Sequence, residues 1–289
     1  SGSWESKPII YDGKDVSLKL AGNDSAHFSY CGYGSSHVLG ALMVPPVQLW
    51  QAHNSTGTWE IEPVDTDWSA GWSSSLAIDS NNKLHICYFD AYNRDLKYAT
   101  NASGAWVRTV VDAGGDVGAY CSLAVDSNNK AHISYFDEDY EDLKYATNSG
   151  GAWQVSVIDS TGTVGYFPSI AVDGSNKVHI GYYDMTNTAL KYATNASGTW
   201  ETACLDTAGD TGWHVSLAVD SGAHAYIAYY NATDRCLKLA TNRSGPWQTM
   251  VVDSSGDVGH ETSIMINNNK TYICYYDATN YVVKLAVEQ

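Results

Sequence analysis

The segment Ser122-Leu-Ala-Val-Asp126 decides the fold, because it returns along the chain at a fixed interval. Consecutive copies of its second residue lie 47 positions apart, and an independent series of tryptophans keeps the same step. Two unrelated positions that hold one period over five copies indicate a repeat architecture. The two series are Leu76, Leu123, Ile170, Leu217 and Ile264, and Trp59, Trp106, Trp153, Trp200 and Trp247.

Each copy contains four short strand-like runs separated by turn residues. In the third copy these runs cover residues 122–126, 132–137, 143–147 and 153–159, and Asn-Asn, Asn-Ser-Gly-Gly and Thr-Gly lie between them. Such spacing is typical of antiparallel hairpins. Four strands in a unit of about 40–50 residues predict the blade of a β-propeller. Six inner strands, the first at residues 16–20, predict one all-β, six-bladed domain over residues 1–289.

The blade boundaries follow from the same period. Blade 1 covers about 16–65 with an 11-residue insertion near 33–46, blades 2–5 repeat every 47 residues, and blade 6 covers about 262–289 plus 3–12. The outer-strand tryptophan expected one period after Trp247 is missing, but Gly2-Ser-Trp4-Glu matches Gly198-Thr-Trp200-Glu. The sequence therefore predicts that the N-terminal strand completes blade 6 and closes the ring, which removes an open sheet edge.

Charge and hydropathy exclude two classes of partner. The net charge is −16 with no basic block, so a nucleic-acid backbone or an anionic membrane would be repelled. The longest nearly uncharged stretch, around residues 38–50, is too short to span a bilayer and contains two prolines. We therefore expect no nucleic-acid partner and no membrane insertion, and an acidic, secreted or surface-displayed protein.

The six cysteines do not follow the spacing of a disulfide framework. Cys87 and Cys274 share a repeat position that holds small residues in other copies, which predicts a buried, free thiol that packs as a small apolar group. The pairing of the other four remains open: Cys31, Cys121, Cys204 and Cys236.

The turns before the tryptophan series resemble the Asp-box, or BNR, turn of sialidase-type propellers. The residues that carry this resemblance are Ala102-Ser-Gly-Ala-Trp106, Ala196-Ser-Gly-Thr-Trp200 and Ser244-Gly-Pro-Trp247, and the aspartate of the box is absent from them. That family contains glycoside hydrolases, lectins and pure scaffolds. The resemblance therefore implies a fold rather than one activity.

Several repeated polar residues are predicted to be structural. His27, His85, His132 and His179 occupy one position on different blades, so they cannot converge on one metal ion. An aspartate and a lysine recur at opposite ends of one hairpin, which predicts a pair across it. These pairs are Asp90 with Lys97, Asp137 with Lys144, Asp184 with Lys191 and Asp277 with Lys284; blade five has Asn231 with Lys238, and blade one has Gly32 with Trp50.

Seven Asn-x-Ser/Thr sequons occur, and several fall on the repeated turns, where asparagine and serine satisfy turn geometry. Turn chemistry explains them better than glycosylation, which requires a suitable secretory host. They begin at Asn23, Asn54, Asn101, Asn195, Asn231, Asn242 and Asn269.

Function is expected where the copies disagree, and the irregular loops are predicted to open on one face. The insertion at 33–46, which carries His37, is either a plug over the central channel or a lid of a pocket. After a shared glycine, the two residues that enter each inner strand diverge, and they either bind a ligand or close the channel with aromatic rings. They are Lys14 and Asp15, Trp72 and Ser73, Ala119 and Tyr120, Tyr166 and Phe167, Trp213 and His214, and His260 and Glu261.

The leading hypothesis is a lectin-like binding module for a carbohydrate or another small polar ligand at this channel mouth. Aromatic rings stack on the CH faces of sugars, and polar groups hydrogen-bond the hydroxyls. The predicted site consists of Trp50, Trp72, Tyr120, Tyr166, Phe167, Trp213, His214, His260, Glu261 and His37.

Two other functions remain open. One is a glycoside hydrolase or polysaccharide lyase in which His214, His260, Glu261 and Lys14 transfer protons. The other is a protein-interaction scaffold, one of several domains of a larger surface protein. We predict no cofactor and no metal, although the acidic loop 137–142 is an alternative Ca²⁺ site and His37, His214 and His260 an alternative metal site.

Overall fold

The computed structural model describes residues 14–22, 25–33 and 47–288, and all their regular elements are β-strands. The 23 strands form six antiparallel sheets, each built from strands that are consecutive in sequence. Within these ranges no helix has the length and apolar character needed to cross a membrane. The first strand of each sheet contacts the first strand of the next, from sheet 1 to sheet 6.

The strands are as follows. Sheet 1 contains β1 (Lys14–Leu20), β2 (Ala26–Tyr33), β3 (Val47–His53) and β4 (Glu60–Asp65), and sheet 2 contains β5 (Ala70–Ile78), β6 (Leu84–Asp90), β7 (Asp95–Thr100) and β8 (Val107–Asp112). Sheet 3 contains β9 (Val117–Val125), β10 (Ala131–Asp137), β11 (Asp142–Thr147) and β12 (Gln154–Asp159), and sheet 4 contains β13 (Val164–Val172), β14 (Val178–Asp184), β15 (Ala189–Thr194) and β16 (Glu201–Asp206). Sheet 5 contains β17 (Thr211–Val219), β18 (Ala225–Asn231), β19 (Cys236–Thr241) and β20 (Gln248–Asp253), and sheet 6 contains β21 (Val258–Asn267), β22 (Lys270–Asp277) and β23 (Val282–Val287).

Each residue of the repeated segment has a defined structural task. The hydroxyl of Ser122 accepts a hydrogen bond from the backbone N–H of Ile170 in the next sheet, at 3.3 Å, and the other copies repeat this bond. Leu123 is buried in the core. Asp126 accepts two backbone N–H bonds of the following turn, which stops the strand and starts the hairpin. The segment therefore links neighbouring sheets as well as forming a strand.

A buried ionic network joins each sheet to the next, and we call it the seam. At the seam between sheets 2 and 3, Asp112 ends the outer strand and accepts a hydrogen bond from Tyr135 (2.7 Å) and an ion pair from Lys144 (2.6 Å). Lys144 also pairs with Asp137 across its own hairpin, at 3.2 Å, as the sequence predicted. The same arrangement recurs with Asp65, Asp159, Asp206 and Asp253 as the outer-strand acids.

The repeated histidines and asparagines are structural, as predicted. His132 bonds Tyr145 at 2.5 Å and Asp126 at 3.3 Å, and burial lowers the pKa of its imidazole. The side-chain oxygen of Asn195, a sequon residue, accepts the backbone N–H of Val178 at 2.8 Å. Equivalent residues make these contacts on separate sheets, so each set is dispersed rather than gathered at one site.

The structure confirms an all-β fold and, for five sheets, the predicted unit of four antiparallel strands. Sheet 6 has three strands in the described part of the chain. The residues predicted to complete it, 3–12, and almost all of the insertion near 33–46 lie outside the described residues. The closing strand and the blade boundaries that depend on it therefore stay predictions.

Candidate functional site

The first strand of every sheet contains the same bulge. One extra residue interrupts the pairing of the first two strands, for example between Tyr166 and Ser169. The shared glycine before it lies against the previous sheet: a Cβ on Gly165 would lie 2.7 Å from the Cα of Leu143. The next residue but one adopts the left-handed conformation, which is costly for a non-glycine residue and concentrates at functional sites. These residues are Asp15, Ser73, Tyr120, Phe167, His214 and Glu261, with φ of 50, 52, 54, 50, 53 and 49°.

The six bulges surround one cavity of about 410 Å³, the central cavity. Each sheet contributes its left-handed residue and the residue after it to the lining. The second members of these pairs are Val16, Ser74, Cys121, Pro168, Val215 and Thr262.

One half of the central cavity is aromatic. The ring of Tyr120 contacts that of Phe167 at 4.9 Å in an edge-on arrangement, and Phe167 stacks on His214 at 5.5 Å. Tyr120 keeps 38% of its surface exposed, so its ring is available to a bound molecule. An exposed aromatic wall of this kind suits the CH face of a ring-shaped polar ligand.

The other half is polar and acidic. Glu261 and Asp15 both line it, and Glu261 lies 3.3 Å from Nδ1 of His214. Burial lowers the pKa of His214, with a further contribution from the neighbouring His260, while Glu261 acts in the opposite direction. The Asp15 carboxylate accepts the backbone N–H of Ser73 at 3.3 Å. This half therefore presents hydrogen-bond acceptors, two carboxylates and an imidazole.

The residues just before the left-handed positions do not line the central cavity. Three of them pack between neighbouring sheets, among them Tyr166 against Phe136 at 4.1 Å and His260 against Tyr230 at 4.1 Å. Trp213 lies against Tyr183 at 4.9 Å and donates its Nε1–H to Asp210 at 2.7 Å. Of the aromatic and polar residues predicted to bind a ligand, Tyr120, Phe167, His214 and Glu261 therefore lie in the lining, whereas Trp72, Tyr166, Trp213 and His260 do not.

Two other predicted residues, Trp50 and Lys14, are not part of the described cavity lining. Trp50 packs on sheet 1 against Phe28, Tyr30 and Ala52. Lys14 is exposed at the start of β1, and His37 lies outside the described residues. Asp15, which the sequence placed at the channel mouth but which was not included in the predicted site, lies in the same lining as Glu261.

The carboxylates of the acidic loop 137–142 make contacts within the protein. Asp139 accepts the backbone N–H of Asp116 at 3.0 Å, and Glu141 accepts the hydroxyl of Thr163 at 2.6 Å. In the part of the chain that the structure describes, no three or more His, Cys, Asp or Glu side chains are grouped as metal ligands.

A second cavity, the outer groove, lies between sheets 1 and 2. It has a volume of about 600 Å³ and is lined by Thr66, Asp67, Trp68, Tyr92 and Asn93. Trp68 and Tyr92 are 56% and 73% exposed. The other copies have a glycine where Trp68 stands, and an aspartate or threonine where Tyr92 stands, as in the contact of Gly162 with Thr186. This departure from the repeat is visible in the sequence, but neither residue was among those predicted to bind a ligand.

A third cavity of about 370 Å³, the apolar slot, lies between sheet 5 and the last described strands of sheet 6. In earlier sheets the equivalent space holds the repeated tryptophan, as where Trp200 packs edge-on against Tyr145 at 5.0 Å. Leu239 replaces that tyrosine in sheet 5 and lines the slot, together with Ile273 and Ala286 of sheet 6.

Known structures share this architecture at very low sequence identity. An α-L-arabinanase of Penicillium chrysogenum, solved with arabinobiose, matches with a TM-score of 0.62 at 12% identity over 97% of this chain and 94% of that chain. A protein of unknown function from Dyadobacter fermentans gives 0.62 at 11% identity, over 96% and 93%. The Aleuria aurantia lectin, in complex with α-methyl-L-fucoside, gives 0.59 at 8% identity, over 97% and 95%. A polysaccharide lyase and sialidases are among the further matches.

These matches confirm the predicted β-propeller fold. At so low an identity they report architecture and nothing about activity. No protein-family model matches the sequence, and no curated protein matches it. The Asp-box resemblance of the turns therefore stays a prediction.

Proposed function

We propose that this protein is an extracellular, six-bladed propeller that binds a neutral carbohydrate in the central cavity. One observation carries the proposal: a single cavity joins an aromatic wall at Tyr120 and Phe167 to a row of acceptors at His214, Glu261 and Asp15. A sugar ring has the complementary pair of surfaces, an apolar CH face and a rim of hydroxyl donors.

The charge of the lining selects among sugars. Among the described residues, the two acidic side chains that line the central cavity face no lysine or arginine in the lining, and the whole chain has a net charge of −16. A uronic or sialic acid would bring a third negative charge into this site without a cation to pair with it. Neutral sugars, whose hydroxyls donate to carboxylates, fit the lining better. The structural neighbours solved with arabinobiose and with a fucoside support a glycan ligand of this kind.

Ring closure by the N-terminal strand is part of the same proposal. Residues 3–12 would add the fourth strand to sheet 6, with Trp4 in the apolar slot. Support comes from the match of Gly2-Ser-Trp4-Glu to Gly198-Thr-Trp200-Glu and from the slot itself, which is apolar where earlier sheets hold an indole.

A longer glycan would extend outward to the outer groove. Trp68 and Ser73 are five residues apart in one chain segment, so the groove and the central cavity lie within roughly 17 Å of each other. Trp68 and Tyr92 then offer a second exposed aromatic surface for the same ligand.

The proposal is tested by screening the purified protein on an array of neutral and acidic glycans, followed by calorimetry with the best ligand. Phe167→Ala and Tyr120→Ala should each weaken binding about tenfold or more, because a stacked ring contributes roughly 1–1.5 kcal/mol beyond its area. Trp68→Ala should weaken only longer oligosaccharides. Tyr140→Ala, which removes a tyrosine that is 73% exposed on another loop, is the matched control and should bind normally.

The proposal would be overturned if the wild-type protein bound none of the neutral glycans on the array. A Phe167→Ala variant that binds as tightly as the wild type would also overturn it.

A second candidate function is glycan cleavage in the same cavity. The observation that favours it is the presence of two carboxylates, Asp15 and Glu261, with a histidine whose pKa is lowered. Paired carboxylates and a neutral imidazole are the groups that acid–base cleavage of a glycosidic bond uses. Release of reducing ends from a bound neutral oligosaccharide, lost in Glu261→Gln and Asp15→Asn while binding persists, would establish this function.

A further inference from the structure

Neighbouring sheets also meet at a second repeated contact, next to the central cavity. A residue in the middle of the second strand of one sheet faces the residue after the left-handed position of the next sheet. Between sheets 1 and 2 this contact is a hydrogen bond of 3.0 Å between the hydroxyls of Ser29 and Ser74. Between sheets 4 and 5 it is so close that a Cβ on Gly181 would lie 2.9 Å from Val215.

Between sheets 2 and 3 the same two positions are both cysteines. The Sγ atoms of Cys87 and Cys121 lie 2.9 Å apart, and Cys121 also donates to the carbonyl oxygen of Ser73 at 3.1 Å. Both side chains are buried, Cys87 completely and Cys121 with an exposed fraction of 6%. In the other sheets the first position holds serine, glycine, alanine or, in sheet 6, Cys274, and the second holds serine, proline, valine or threonine, so packing alone does not require two thiols facing each other here.

We propose that Cys87 and Cys121 form a disulfide that links sheets 2 and 3 beside the central cavity. The bond forms at the place where the fold makes a side-chain hydrogen bond between sheets 1 and 2, so the two side chains already face each other. Closing the two sulfurs from 2.9 Å to a bond of about 2.05 Å needs a small adjustment of side-chain torsions.

The oxidant that accepts the two electrons is a small-molecule disulfide. The Cys121 thiolate attacks one sulfur of that disulfide, forms a mixed disulfide and expels the first small thiolate. The Cys87 thiolate then attacks Cys121 Sγ, which forms the bond between the two cysteines and expels the second small thiolate. The two protons of the cysteine thiols end on the two released thiols, so two electrons pass from the protein to the oxidant.

The structure gives the two cysteines different roles in this two-step reaction. Cys121 lines the central cavity, so a small disulfide reaches it through that opening. Cys87 has no exposed surface, so it reacts only within the protein, with the mixed disulfide on its neighbour. Cys204, the exposed cysteine, has no described cysteine at bonding distance and serves as the internal comparison.

The test uses the full chain, incubated with excess oxidised glutathione and digested without reduction for mass spectrometry. We expect a linked pair of peptides that contain Cys87 and Cys121, and a loss of about 2 Da for the two hydrogens when no adduct remains. The closed loop should raise the melting temperature by roughly 5 to 10 °C, and dithiothreitol should reverse the rise.

The matched control is the double variant Cys87→Ser/Cys121→Ser, which copies the pair of serines between sheets 1 and 2. It should fold, and its melting temperature should not respond to oxidant or reductant. The proposal is overturned if both thiols can still be alkylated after oxidation and unfolding. It is equally overturned if Cys121 carries only a glutathione adduct, or if it bonds another cysteine such as Cys31.

Discussion

The seam between neighbouring sheets and the rim of the central cavity, formed by the six left-handed residues, both repeat the same backbone from sheet to sheet. They differ in how far their side chains vary. Along the seam, an aspartate such as Asp112, with its tyrosine and lysine partners, returns from sheet to sheet. On the rim, the left-handed bulge returns in every sheet, while its side chain changes from Tyr120 to His214 to Glu261. A buried charge requires a partner, so the seam varies little from sheet to sheet, whereas side chains that face a cavity vary freely.

The largest effect should come from the seam between sheets 4 and 5, which among the described seams lacks the hairpin aspartate. Lys238 has Asp206 as its carboxylate partner, since Asn231 replaces the aspartate of its own hairpin, whereas Lys144 has both Asp112 and Asp137. Asp206→Asn leaves a buried lysine without a counter-charge and should reduce the free energy of unfolding by about 3–5 kcal/mol. Urea denaturation measures the loss.

Asp112→Asn is the matched control for that experiment, because Lys144 keeps Asp137 at 3.2 Å. It should cost about 1–3 kcal/mol, as the loss of one charged hydrogen bond does. Equal losses in the two variants would mean that the second aspartate contributes nothing.

The next effect tests whether the N-terminal strand completes sheet 6, as the sequence predicts. If Trp4 fills the apolar slot, Trp4→Ala should reduce the free energy of unfolding by about 3 kcal/mol, as the removal of a buried indole does. Trp68→Ala, at a residue that is 56% exposed, should change it by less than about 0.5 kcal/mol. Denaturation curves that coincide for the two variants would contradict closure by the N-terminal strand.

The smallest effect should be a gain in the free energy of unfolding, from a substitution on the rim of the central cavity. The side chain of Glu261 is 78% exposed, and its φ is 49°. Glu261→Gly relieves the left-handed strain and should raise the free energy of unfolding by about 0.5–1 kcal/mol. Val251→Gly, at an exposed position inside β20, should lower it by about 1 kcal/mol because glycine weakens a strand. Destabilisation by both variants would show that the rim conformation carries no strain.

The site was less predictable than the fold for a physical reason that two pairs of residues show. The sequence identified Tyr166 and Phe167 as neighbours of the channel, but not that the bulge separates them. Phe167 turns into the cavity lining, while Tyr166 packs on Phe136 of the previous sheet. Similarly, Asp90 and Lys97 were predicted to pair, and they lie 2.6 Å apart, but their partner Asp65 comes from another sheet. Contacts within a hairpin follow from local spacing, whereas contacts between sheets depend on how the sheets pack.

The sequence by itself determined the period, the all-β class, the four-stranded unit and the structural role of the repeated histidines. These follow from short-range preferences of turns and strands that act alike in each copy. Only the tertiary structure decided which side chains share a cavity, which acids cross from one sheet to the next, and that two cysteines 34 positions apart come into contact. Those distances are set by the packing of whole sheets against one another, which no single stretch of sequence contains.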